Sequence, residues 1–295
     1  MTTYEIVTEK IVGLLEQGIV PWRRPWSAVG APRNLVSGRP YRGVNFFLLS
    51  AAKFVSPFWL TLRQANQLAG RIRKGESSQL VIFWKVDAYD GEAAEPEAIA
   101  EPIGVDAPTR RRFLLRFYRV FNLQQCELPQ AVLDRLPKIE THRHEPIAAA
   151  ERIIAGMPNP PQIEYAGDKA FYSPSADRIT LPRPELFDNV AELYATAFHE
   201  LSHATGHPKR LARESIAEAA PFGSPVYASE ELVAEMGAAF LCAEAGISPA
   251  VLENQSAYIK GWLAKLRGDQ RLVTLAAAQA QHAADYVLGR ARQTE

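Results

Sequence analysis

Three of the six histidines in this chain fall within nine residues, His199-Glu200-Leu201-Ser202-His203-Ala204-Thr205-Gly206-His207. A helix turns once in about 3.6 residues, so two residues four apart share a face. His199 and His203 are so placed and can bring two imidazoles to one cation. Glu200 projects beside the pair, where its carboxylate can take and return the proton of a water polarised by the cation. This is the HExxH pattern of a zinc hydrolase. It predicts one Zn2+ per chain, with another divalent transition metal as the alternative.

The pattern needs a helix beneath it, and the flanking residues supply one. Val190, Leu193, Tyr194, Ala197, Phe198 and Leu201 recur at i, i+3, i+4, i+7, i+8 and i+11, a stripe one helical face wide. Asp188 or Asn189 can cap the start, and Gly206 with Pro208 supplies a stop. Two imidazoles leave the cation one protein ligand short. A second helix, through Ser229–Leu241, offers Glu231 and Glu235 on one face, with Leu232, Met236, Ala239 and Phe240 as its apolar stripe. Gly237 and Ala238 would let this helix come close to the first, which points to Glu235 as third ligand. Glu231 is then an orienting partner or the alternative ligand. His207, beyond the expected helix end, is a weaker candidate for the same roles.

With 295 residues and 47% hydrophobic content, the chain is long and apolar enough for two packed domains. No run reaches the roughly 20 apolar residues of a membrane span, and the opening MTTYEIVTEK is not a signal peptide. Two isolated cysteines, Cys126 and Cys242, suit a reducing compartment. The expectation is a soluble protein of the cytoplasm.

The net charge is zero, but its distribution is uneven. Residues 1–86 carry 12 Lys and Arg against 4 Asp and Glu, residues 87–106 hold seven acids and no base, and residues 126–295 carry 16 bases against 22 acids. A basic half suggests a polyanionic partner. Its charges are interleaved with rings: Trp22, Arg23, Arg24 and Trp26, then Arg39, Tyr41, Arg42 and Phe46, with Arg71, Arg73 and Lys74 further on. Rings stack on unpaired bases while cations follow phosphates, so the expected partner is single-stranded nucleic acid.

Coarse periodicity gives an α+β chain. An amphipathic helix is expected over 3–18, short helices near 44–54 and 61–70, and two strands, 78–86 and 111–121, paired as a hairpin across the acidic insert. The proline-bearing stretch 127–146 reads as a linker between an N-terminal domain, 1–126, and a C-terminal one, 147–295. In the latter, a helix over 147–156 and strands at 162–165, 170–172 and 177–182 precede the HExxH helix, giving a mostly helical domain with a small sheet.

Several unusual segments in order, WRRPW, RPYRGVNFFLL, SPFWLTLRQA, RIRKGE, FYRVFNLQQCE, AFYSPSADRITLP, AFHELSHATGH and EELVAEMGAAFL, resemble the ArdC antirestriction proteins of conjugative plasmids, whose N-terminal region is shared with TraC-type plasmid primases. The resemblance covers nearly the whole chain. It implies a domain that binds single-stranded DNA, followed by a zincin-like metallopeptidase domain. It also implies a role in protecting incoming plasmid DNA from host restriction during conjugation, in a bacterial host or in the recipient cell. The family's metal pattern falls on His199, Glu200 and His203, with Glu235 fitting the downstream glutamate. The longer metzincin pattern does not extend here, since Lys209 stands where it would need histidine. Two functions stay open: a metallopeptidase acting on a restriction or DNA-bound protein, and a non-catalytic DNA-masking protein with a structural metal.

Overall fold

A computed structural model describes residues 2–23, 31–52, 54, 56–88, 111–136, 146–187, 189–217, 225–247 and 255–290. The chain opens with α1 (Thr3–Glu16), started by a capping box between Thr2 and Glu5 and burying Val7, Ile11 and Leu15 at helical spacing. Gly18, at φ 77°, turns the chain away in a conformation that suits glycine. There follow β1 (Arg33–Asn34), α2 (Val44–Ser50), β2 (Phe58–Leu60), α3 (Leu62–Gln67), β3 (Arg71–Ile72), β4 (Gln79–Ala88) and β5 (Arg111–Asn122). Strand order in the main sheet is β1-β2-β5-β4, with the expected hairpin in register from Gln79↔Val120 to Ala88↔Arg111. Nearly all of the acidic insert between those strands, residues 89–106, lies outside the described residues.

Strand β4 is the last in the sheet, and a free edge leaves backbone groups to be satisfied. The buried Asn45 of α2 does this: its Nδ2 donates to the Ile82 carbonyl at 2.6 Å, and its Oδ1 accepts from the Ile82 N–H at 2.7 Å. The stretch expected to be linker is partly structured. Strand β6 (Cys126–Glu127) pairs with β3, and α4 (Gln130–Leu133) follows it. Gly70 permits that pairing, because a Cβ there would stand 2.7 Å from the Glu127 carbonyl oxygen. The prolines that suggested a linker include Pro129, which stands at the start of α4 and does not interrupt it.

The C-terminal half contains α5 (Pro146–Gly156), β7 (Gln162–Tyr165), β8 (Phe171–Ser173), β9 (Arg178–Leu181), α6 (Val190–Ala204), α7 (Glu214–Ala217), α8 (Pro225–Ala245), α9 (Gln255–Gly268) and α10 (Leu272–Val287). Its three strands run in the order β7-β9-β8, with β7 parallel and β8 antiparallel to β9. No helix among the described residues is long and apolar enough to cross a membrane. The architecture is α+β in two domains.

The two halves share one hydrophobic core. Trp22 is 2% exposed and meets Phe47 and Trp262 edge-on, with ring centroids 6.5 and 6.0 Å away. Phe46 and Phe47 pack on Phe240 of α8 at 5.0 and 4.8 Å. Polar ties cross the same seam: Arg42 pairs with the buried Asp285 of α10, and Thr8 donates to the Gln270 carbonyl at 2.6 Å. These contacts correct the assignment of Trp22 and Phe46 to base stacking, and the packing of Tyr41 with Leu49, Trp59, Val81 and Val120 corrects that of Tyr41. All three are buried, and burying large rings against apolar neighbours stabilises more than leaving them in water. Truncating Trp22 to alanine should cost about 3–5 kcal/mol, as large-to-small core changes do. Urea unfolding followed by tryptophan fluorescence and by far-UV circular dichroism should show one coincident transition shifted to lower denaturant in both signals. Two separated transitions would mean that the halves fold independently.

Candidate metal centre

Helix α6 presents the pair as its sequence spacing requires. Asn189 caps it, its side chain accepting from the Glu192 N–H at 3.0 Å, while Leu193, Tyr194, Ala197, Phe198 and Leu201 turn inward. Val190 stays exposed at the first turn. The Nε2 atoms of His199 and His203 stand 3.2 Å apart with their rings nearly perpendicular, at 83°. A carboxylate from α8 completes the group: Glu231 oxygens lie 3.7 Å from His199 Nε2 and 3.6 Å from His203 Nε2. Among the described residues, His199, His203 and Glu231 form the set able to hold a metal ion, their ligand atoms all within 4.8 Å of one another. Two imidazole nitrogens and one carboxylate oxygen are a donor set that suits a divalent transition metal, with room left for a further ligand.

The converging carboxylate is therefore Glu231 and not Glu235. The reason lies in how α8 meets α6. A Cβ on Gly237 would stand 2.5 Å from the Ser202 side chain, so the helices do touch at that glycine, as its size suggested. Ser202, however, is on the buried side of α6, hydrogen-bonded to the Phe198 carbonyl. Glu231 lies six residues before the contact, about 9 Å along the axis at helical rise. From there its carboxylate lies within 3.7 Å of both imidazole Nε2 atoms.

Glu230, the neighbour that sequence reasoning passed over, holds His203 from behind. It is 4% exposed, and its Oε1 lies 3.2 Å from His203 Nδ1. Arg213 reaches both oxygens of Glu230, at 3.0 Å through Nε and 2.5 Å through a terminal nitrogen, and Ser215 donates to it at 2.5 Å. Arg213 is fixed in turn by the Thr205 hydroxyl at 2.7 Å and the Ser202 carbonyl at 2.8 Å. Burial opposes ionisation of Glu230, but hydrogen bonds from His203 and Arg213 outweigh it and hold the carboxyl at about 2. An ionised Glu230 accepts a hydrogen bond from the His203 Nδ1–H, so that in the neutral imidazole the lone pair lies on Nε2, the atom facing Glu231. The legible signal was a pair of adjacent glutamates, of which the second alone fits the metal face; the first needed its own partner.

Glu200 is 7% exposed. Burial and the nearby Glu231 raise its pKa above the ordinary carboxylate value, against the opposing pull of His203 and the Tyr172 N–H. Tyr227, one turn before Glu231 on α8, is a second residue not anticipated. Its hydroxyl is pushed up to about 12 by burial, by its hydrogen bond to Glu231 and by the charges of Glu231 and Glu200. His207 stands apart from the metal set. Its Nδ1 accepts from the Lys209 N–H at 3.2 Å and lies 4.0 Å from Asp177, which pairs with the fully buried side chain of Arg210.

The cationic residues expected to meet DNA are placed unevenly. Arg42 is engaged with Asp285, Arg71 with Glu127 at 2.6 Å, and Arg73 with Glu76 at 2.9 Å and the Gln124 carbonyl. Arg39 and Lys74 are exposed. Arg24 and Trp26, and the side chain of Arg23, lie outside the described residues.

Replacing Glu230 by glutamine should weaken metal binding about 10- to 100-fold, the usual consequence of losing the partner that orients a ligating histidine. It also strands the buried Arg213, which should lower the melting temperature. Titration of the metal-free protein against a competing chelator, well below that melting temperature, measures the first effect. Unchanged affinity would show that His203 needs no support from Glu230.

Both halves of the chain have known relatives. Residues 1–121 match the N-terminal domain of anti-restriction factor ArdC, and residues 148–279 match a zincin-like metallopeptidase. An uncharacterised protein of Sinorhizobium fredii, y4eC, is 35% identical over 96% of this chain and 91% of its own length. A DNA primase TraC of Escherichia coli is 35% identical over 97% of this chain, which spans 20% of that primase. The crystal structure of antirestriction ArdC from the R388 plasmid, in metal-free form, matches with a TM-score of 0.75 at 31% identity, covering 99% of this chain and 100% of that one. The Mn(II)-bound form of the same protein matches with a TM-score of 0.72 over 100% of both chains. Similar over its whole length to a solved antirestriction protein, and carrying both domains, the chain belongs to the ArdC family.

Proposed function

We propose that this protein protects incoming plasmid DNA from host restriction during conjugation, in the bacterial cytoplasm, by binding single-stranded DNA and cleaving a peptide bond in a restriction or DNA-bound protein. The observation that carries the peptidase reading is the convergence of His199, His203 and Glu231 beside the buried carboxylate of Glu200. Zinc is the proposed metal, and when bound it would supply a Lewis acid that polarises a carbonyl and makes water acidic near neutral pH.

The chain's own groups do the rest. Glu200, buried beside the two histidines, is the general base, its carboxylate taking a proton from water and returning it to the leaving amine. Glu230 holds His203 in the tautomer that a metal requires. Strand β8 pairs with β9 on one side, and its Tyr172 N–H points to Glu200, so its other edge is placed to receive an extended peptide next to the reacting groups. The basic, ring-bearing N-terminal half is the DNA-binding part, in keeping with the ArdC and primase relatives. Because the two halves share a core, a protein bound to the same strand is presented to the site at raised local concentration.

Two outcomes are expected. His203→Ala should lose the metal, approximately one equivalent per chain in the wild type, as elemental analysis would record; full metal content in the variant would refute the ligand set. Glu200→Gln should keep the metal, lower proteolysis by about 10²–10⁴-fold, and lose protection of transferred DNA in restricting cells. A Glu200→Gln protein that protects as well as wild type would replace the peptidase reading with DNA masking around a structural metal.

A further inference from the structure

Resting on the single-stranded-DNA reading above, we propose that the bases are held not by the aromatic residues of the N-terminal loops but by the outer part of the β4–β5 ribbon, with Phe83 and Tyr118 as stacking rings and Arg116 as the phosphate contact. The register sets the geometry. Val81 faces Tyr118 and Phe83 faces Arg116 across the two strands, and successive pairs two residues apart lie on the same face. Gln79 with Val120, Val81 with Tyr118, and Phe83 with Arg116 therefore form one face. Its inner part is rooted: Val81 and Val120 are buried with Tyr41, Leu49 and Trp59. Beyond that root the face comes into solvent, where Phe83 and Tyr118 are each 43% exposed.

Two large rings left in water on a sheet face call for a partner, and the surroundings say which kind. Strand β5 carries four arginines and no acid over Arg111–Asn122. Arg116 is exposed on the same face as the two rings, and Arg119 is exposed on the opposite face of the strand. A cationic strand beside exposed rings complements a polyanion with accessible base faces, which a single strand offers and a duplex hides. The rings are also held ready. Phe83 meets Tyr118 edge-on at 5.6 Å and meets the buried Tyr41 at 6.2 Å, so little side-chain freedom is left to lose when a base is added. Trp22 and Phe46 cannot serve this way, because their faces are covered by Trp262, Phe47 and Phe240.

The test uses the full-length protein and a fluorescein-labelled thymidine 20-mer, with anisotropy read at two salt concentrations. Phe83→Ala and Tyr118→Ala should each weaken binding about tenfold or more, and Arg116→Ala should weaken it while flattening the salt dependence. An abasic oligomer of the same length should bind wild type more weakly than thymidine does, but should bind the double ring variant equally well. Tyr118→Leu, which keeps the apolar bulk on the strand, guards against misfolding and should lose affinity like the alanine variant. If wild type binds the oligomer and all of these variants match it, the ribbon assignment is wrong while the DNA reading stands. If wild type itself does not bind, the DNA reading fails first. Unchanged DNA affinity together with a lower molecular mass in sedimentation would make the ribbon a contact between copies of the chain and would also overturn the proposal.

Discussion

The close approach of α8 to α6 at Gly237 and Ser202 is the constraint from which the metal centre follows. With any side chain at 237 something would have to give, since a Cβ there comes to 2.5 Å of the Ser202 hydroxyl and 3.0 Å of its Cβ. The site gathers its ligand atoms within 4.8 Å of one another from two different helices, so it depends on how closely those helices approach. Helix packing at this distance tolerates little rearrangement, because interiors are packed as densely as crystals. Glycine thus does on α8 what the capping of α6 does at its start: it fixes where a side chain further along the helix will stand.

Behind the ligands lies a chain of charges that would be costly if any member were missing. Glu230 and Arg213 are both nearly dry, at 4% and 8% side-chain exposure, and each satisfies the other while Glu230 also receives His203. A buried ion pair of this kind is weak evidence for stability in itself. Its value here is directional, because it converts the tautomer of a distant nitrogen into a fixed property of the fold. The link between the strand segment 171–173 and Glu200 adds a second orientation from the other side, through the Tyr172 N–H.

Much of this was legible in the residues. The period of the apolar stripe located α6 and its cap, and alternation located the β4–β5 hairpin, because both are local consequences of backbone geometry. What was not legible depended on contacts between segments far apart. The choice between Glu231 and Glu235 turned on how α8 is placed against α6, which spacing within α8 cannot reveal. The burial of Trp22 and Phe46 is hidden from sequence for a related reason. An aromatic beside an arginine looks the same whether its ring faces a base or the core of a second domain, and here Phe240 and Trp262, more than 190 residues away, decide the matter. Arg42 repeats the lesson, its partner Asp285 lying near the other end of the chain.

The shared core also bears on how the DNA binding and peptide chemistry proposed above would be joined in one molecule. Coupling between sites requires an element with two arrangements that both sites bias. The seam shows the opposite character: Phe46, Phe47 and Phe240 interlock, Trp22 is wedged against Trp262, and Arg42 anchors to α10. A junction of that kind keeps the two halves at a fixed distance and transmits position more readily than conformation. The physical advantage of fusing them is then geometric. On the proposed reading, a strand held by the N-terminal half would carry its bound proteins within reach of the metal helix, and the gain would come from effective concentration, which needs no change of shape in either half.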